Sequence, residues 1–185
     1  MVHYNLSYFS VRGAGEIARQ IVVYAGEEFE DNRVPKGSGQ LSSQVNTPFG
    51  QLPLLEVDGM VLAQSHAISR YLARQFGING KDAWEEAQVG FAERDVEALA
   101  KDVLIPGFKK NYRFFSNFLK SSGSGYLVGD SLTWVDLLLA QHTADLLADD
   151  ESLLNEFPQF KAHQEKVHSN ANIKKWSEAR PVSSF

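Results

Sequence analysis

Asp58-Gly59 stands between two short apolar runs, Leu54–Val57 and Met60–Ala63. An Asp-Gly pair supplies the two positive-φ residues that a tight turn between antiparallel strands needs, so the stretch predicts a β-hairpin. Pro53 stands just before it. A Leu-Pro step in a tight turn is a candidate cis bond. Such a turn would turn the backbone N–H and C=O of Leu52 toward an extended ligand. After the hairpin, Ser65 lies at a predicted helix start, where its hydroxyl is placed to cap backbone N–H groups. Ile68, Leu72 and Phe76 recur every four residues as one apolar face, and Gly77 ends the helix. Gln64-Ser65 at that helix N-terminus offers N–H groups, a hydroxyl and a positive dipole end, which suit a carboxylate. A bare hairpin and helix explain the same pattern equally well, so the rest of the chain must decide.

Upstream, residues 3–8 alternate in polarity and predict a first strand. Arg12-Gly13-Ala14-Gly15 reads as a loop. Residues 16–25 predict a helix with Ile17, Ile21 and Tyr24 on one face and Gly26 at its end. Residues 29–34 predict a second strand. Residues 35–48 are rich in Gly, Ser and Gln and predict a loop with at most one short helix. Strands joined by a helix are expected to be parallel, with a right-handed crossover. The order β-α-β, then β-β-α, describes a small α/β domain of the thioredoxin kind over residues 1–77.

After a short linker at 78–81, strand signals vanish, and residues 82–185 predict an all-helical domain. Asp82 with Glu85 reads as a capping box. Residues 93–121 are helical in pattern, with Phe108, Tyr112, Phe115 and Leu119 as one stripe and Pro106-Gly107 placed to kink or divide it. Thr133 with Asp136 is a second capping box, and Leu132 with Leu137 fits its hydrophobic staple. Residues 137–147 are nearly all apolar, the mark of a central buried helix. Pro158 and Asn170 open two last amphipathic helices.

Composition narrows the function. The chain has 185 residues and a net charge of −5 with no long basic run, which argues against nucleic-acid binding. It has no cysteine, hence no disulfide, thiolate metal site or cysteine nucleophile. Its five histidines are scattered, and His66 and His142 read as structural rather than as metal ligands. No signal peptide and no run long enough to span a membrane is visible. A soluble protein of a reducing compartment, the cytoplasm, is expected.

Tyr8-Phe9 closes the first strand and Arg12-Gly13 follows. With Gly50-Gln51-Leu52-Pro53, Gln64-Ser65 and residues 129–136 (GDSLTWVD), the chain resembles the cytosolic glutathione transferases along nearly its whole length. The likeness is greatest to the sigma class, which includes glutathione-dependent prostaglandin D synthases, and to nematode members. The resemblance implies that Tyr8 donates a hydrogen bond to the glutathione sulfur, with Arg12 near it. It implies that Leu52 pairs its backbone with the cysteinyl part, that Pro53 is cis, and that Gln64 and Ser65 hold the γ-glutamyl group. Gln51 falls where relatives touch the peptide. Phe9, Gly13, Phe108 and Tyr112 are the candidates for an acceptor-substrate pocket. Thr133 and Asp136 are structural on either reading.

The implied reaction is attack of glutathione thiolate on an apolar electrophile, as in detoxification, with glutathione as co-substrate and no metal. Hydroperoxide reduction or a prostaglandin-type isomerisation can run on the same thiolate. A non-catalytic binder of haem or other hydrophobic ligands, or a crystallin-like structural protein, is the alternative on this fold. A homodimer is expected by family analogy.

Three departures stand out. Gln40 and Gln44 occupy positions where relatives usually carry a Trp and a Lys that hold the glycyl carboxylate. Ala14 replaces an arginine found in some relatives. Between Gln88-Val89 and Gly90-Phe91 the sequence jumps across several helical turns that the family carries, either as a true deletion or as a stretch missing from the sequence as read; the acidic residue that in relatives reaches the neighbouring subunit's glutathione falls there.

Overall fold

The structure is a computed structural model and describes residues 2–35, 50–102, 108–149 and 151–183, of which it describes only the backbone at 94, 95, 97–102, 108–114, 149 and 153. The elements run β1 (Tyr4–Phe9), a 3₁₀ turn (Gly13–Gly15), α1 (Glu16–Ala25), β2 (Glu30–Val34), β3 (Leu54–Val57), β4 (Met60–Ala63) and α2 (Ser65–Gln75). Five helices follow: α3 (Ala83–Asp102), α4 (Phe108–Ser122), α5 (Trp134–Asp149), α6 (Pro158–His168) and α7 (Ala171–Ala179). A thioredoxin-like half thus precedes an all-helical half. The chain divides into two compact units, residues 1–76 with 175–185, and residues 77–174.

The first unit carries a four-stranded sheet in the order β2-β1-β3-β4. β1 and β2 are parallel, as a strand–helix–strand connection requires, while β3 runs antiparallel to both β1 and β4. Asp58 and Gly59 take φ of 48° and 85°, the two positive values of the predicted hairpin turn. Leu6, Leu55, Ile21, Ile68 and Leu72 are essentially inaccessible to solvent and join the sheet to α1 and α2. Helix α1 is buried more widely than its apolar face suggests, because Glu16, Arg19 and Gln20 lie inside as well. Gly77 adopts φ 72° just beyond α2, closing it as expected. The short helix considered within residues 35–48 lies outside the described residues.

In the second unit, α5 packs against α3 and α6. Its Val135, Leu137, Leu139 and Ala140 are fully buried, which agrees with the largely apolar run. The Thr133–Asp136 pair forms one half of a capping box. Asp136 accepts from the Thr133 N–H and hydroxyl, both at 2.8 Å, and also from the Leu127 N–H at 2.8 Å and His163 Nε2 at 2.9 Å. The other predicted box differs. Asp82 accepts from the N–H groups of Trp84 and Glu85, but Glu85 reaches back to the Lys81 N–H at 2.9 Å, one residue earlier than a box requires. Asn170 caps α7 by accepting from the N–H groups of Asn172 and Ile173. The segment predicted as helical over 93–121 belongs to two helices, and α3 begins ten residues earlier and passes unbroken through Val89-Gly90. Pro106-Gly107 lies outside the described residues.

Candidate active site

The register of the sheet gathers the predicted residues at one end. Ser7 pairs with Leu54, and Leu54 with Ala63. The next residues along each strand, Tyr8, Pro53 and Gln64, therefore come to the same edge of the sheet. The parallel partner β2 ends there too, with Phe9 opposite Val34. This is the carboxyl end of the parallel pair, where open α/β sheets bind their ligands. Leu52–Pro53 is cis. Gln51 is exposed, Leu52 half-buried and Pro53 buried.

Gln64 takes φ 76° and ψ 117°, a region that costs a non-glycine residue about 1–3 kcal/mol and that clusters at ligand clamps. It occupies the N-cap position of α2 with no side-chain cap bond. Ser65 is the first residue inside the helix, so the expected cap by its hydroxyl is not made: the cap needs a residue outside the helix, and that place is Gln64's.

Tyr8 is buried at the next-to-last position of β1, against the 3₁₀ turn. The Ala14 N–H donates to its hydroxyl oxygen at 3.1 Å. That bond occupies an acceptor site and leaves the phenol's own proton to be donated elsewhere. The turn fits the ring closely. A Cβ at Gly13 would lie 2.6 Å from the Tyr8 hydroxyl, and one at Gly15 would lie 2.5 Å from the ring carbons Cγ and Cδ1. Phe9 packs edge-on against Tyr8 with centroids 5.5 Å apart. Arg12, half-buried, leads into the turn.

The residue that pattern reading missed is Arg19. It is fully buried, and its guanidinium carbon lies 5.7 Å from the Tyr8 ring centroid. Nε donates to Asp31 at 2.9 Å, Nη1 to the Val11 carbonyl at 2.9 Å and Nη2 to the Phe9 carbonyl at 3.4 Å. Arg19 thus ties both strands to the loop that follows Tyr8. In sequence it reads as an ordinary helix-surface charge, three residues after Glu16.

Gln40 and Gln44 lie outside the described residues, as do the side chains of Phe108 and Tyr112. Within the helical unit, a cavity of about 270 Å³ is lined by Trp84, Ala87, Phe91, Phe118, Leu127 and Val128, none of them predicted for a pocket. Among the described residues, no three His, Asp or Glu gather as metal ligands.

Comparison with known proteins decides the family. Residues 4–74 match the glutathione S-transferase N-terminal domain, and residues 84–180 match the C-terminal domain. The chain belongs to the glutathione S-transferase family. Enzymes of this family use glutathione as co-substrate. Over 207 aligned positions covering all of both chains, it is 69% identical to a Caenorhabditis elegans protein named probable glutathione S-transferase 7. Of those positions, this transferase fills 185, so 22 fall opposite gaps in it. Among solved structures it is similar to a C. elegans glutathione S-transferase, at 51% identity and TM-score 0.90 over all of both chains. It is also similar to a Nu-class enzyme from Haemonchus contortus, at 44% identity and TM-score 0.90, again over all of both. The sheet, the cis-proline turn and the helical half are therefore those of a glutathione S-transferase, and no described helix is long and apolar enough to cross a membrane.

Proposed function

We propose that the chain conjugates glutathione to apolar electrophiles, with the Tyr8 hydroxyl as hydrogen-bond donor to the sulfur. The observation that carries this reading is the Ala14 N–H on the Tyr8 oxygen, which leaves the hydroxyl proton for a ligand. A free thiol ionises near pH 8.5, and only the thiolate is strongly nucleophilic. A donor aimed at sulfur favours the charged form. One to two units of pKa lowering, worth about 1.4 kcal/mol each, are within reach of such a bond together with the Arg12 charge.

In the reaction, the thiol proton passes to solvent, the sulfur forms a bond to the electrophilic carbon, and the leaving group departs with its electron pair. Leu52 would pair its backbone with the cysteinyl part of glutathione, and Gln64 and Ser65 would receive the γ-glutamyl carboxylate at the α2 N-terminus. Gln51 and Gln44 would touch the peptide, and neutral Gln44 would hold the glycyl end less firmly than a lysine. Phe9, Gly13, Phe108 and Tyr112 would face the acceptor. Domain limits of 1–77 and 82–185, a sigma-type class, a cytoplasmic homodimer and side activities on peroxides or endoperoxides belong to the same reading. Retention on immobilised glutathione, followed by conjugation to an aryl halide, tests it. Retention with turnover supports it, retention without turnover favours the ligand-binding alternative, and no retention sinks both.

A further inference from the structure

Glu16 is the first residue of α1 and is buried. Its carboxylate faces residues of the last stretch of the chain. Oε1 accepts from Trp176 Nε1 at 2.9 Å and from Arg180 Nη1, while Oε2 lies 3.5 Å from Arg19 Nη1. Trp176 also packs its indole against Phe29, with centroids 6.0 Å apart. Residues 175–185 belong to the same compact unit as β1 and α1. A carboxylate shared by two guanidinium groups and an indole N–H has little freedom to move.

The placement matters because Glu16 is two residues from Ala14, whose N–H holds the Tyr8 hydroxyl, and adjoins Gly15, which lies against the Tyr8 ring. We infer that Glu16, Trp176 and Arg180 form a positioning latch, by which the carboxyl-terminal stretch holds the Ala14 N–H on Tyr8 and so aims the Tyr8 proton at the bound sulfur. Glu16, Trp176 and Arg180 are positioning residues, since none touches the reacting atoms. The inference rests on the reading of Tyr8 as the sulfur's donor. Arg19, the second guanidinium beside Glu16, is held also by Asp31, to which Arg33 donates at 2.7 Å.

The test compares Trp176→Phe, which removes the indole N–H and keeps an aromatic ring, with Glu16→Gln, Tyr8→Phe and the Trp176→Phe/Tyr8→Phe pair. The readouts are the pH profile of kcat/KM with an aryl halide, the ultraviolet thiolate absorbance of bound glutathione, and KM for glutathione. Trp176→Phe is expected to raise the apparent pKa of the bound thiol by about half a unit, a threefold loss of rate on the acid limb. KM for glutathione should stay within about twofold, since the latch acts on the donor and not on the peptide clamp. In the Tyr8→Phe background the same change should have no further effect on the thiol. A lowered Tm with the thiol pKa unmoved in Trp176→Phe makes the latch merely structural and overturns the inference, even if Glu16→Gln fails to fold. Full activity in Tyr8→Phe overturns the underlying reading instead, so the two failures are distinguishable.

Discussion

Ala14 donates its backbone N–H to the hydroxyl oxygen of Tyr8 at 3.1 Å. A backbone donor is indifferent to side-chain identity, so an alanine at this position suffices for the bond. The bond does require the 3₁₀ turn to lie directly over the tyrosine, and the glycines on either side of Ala14 permit that approach.

Gly15→Ala therefore places a methyl where the tyrosine ring stands, 2.5 Å from Cγ and Cδ1. Either the turn lifts or the ring tilts, and both lengthen the Ala14–Tyr8 bond. Overpacking of this kind costs about 1–3 kcal/mol. Urea unfolding should show that loss, and kcat should fall with it.

Arg19→Met removes the buried cation that Asp31 and two carbonyl oxygens accept from. Breaking a buried ion pair from one side typically costs about 3–5 kcal/mol. Asp31 keeps Arg33 as a partner at 2.7 Å, so a value near the lower end is expected in chemical denaturation. The loop after β1 should loosen as well, with lower kcat in the folded fraction.

Asp136→Asn keeps the shape of the α5 cap but removes the charge that four donors share. Hydrogen bonds to a charged group are worth about 1.5–3 kcal/mol each, and part of that is lost. The expected result is a loss of about 2–3 kcal/mol of stability with kcat/KM per folded molecule unchanged. Activity titrated against the folded fraction checks this separation.

His142 lies on the buried α5, and burial lowers its pKa from 6.5 to about 4. The unfolded chain then binds a proton at a higher pH than the folded one. Stability is unaffected above about pH 6.5 and falls as pH drops from there to about 4, by up to about 3 kcal/mol. Urea midpoints measured across that window should show the decline, and His142→Gln should flatten it.

Much of this architecture was legible in the sequence because it rests on local chemistry. Asp58-Gly59 announced its turn, the apolar run at 137–147 announced a buried helix, and Asn170 announced a helix start. The gathering of Tyr8, Pro53 and Gln64 at one end of the sheet needed the strand order and register of the fold. What pattern reading could not supply depends on long-range pairing. Glu16 and Arg19 look like a surface pair three residues apart on a helix, and only the fold brings Trp176 and Arg180 to Glu16, some 160 residues later. Ser65 was misplaced by one residue as a cap, because Gln64 adopts a positive φ that favours glycine and that composition gives no reason to expect. The side chains of Phe108 and Tyr112, predicted to face the acceptor, lie outside the described residues.

The most direct measurement is the ionisation of bound glutathione in Tyr8→Phe, read from thiolate absorbance and from the pH profile of aryl-halide conjugation. Loss of the donor, with Arg12 still in place, should raise the bound thiol's pKa by about one unit and lower the rate near neutral pH about tenfold, with glutathione still retained. An unchanged thiol pKa and an unchanged rate would contradict the role of Tyr8.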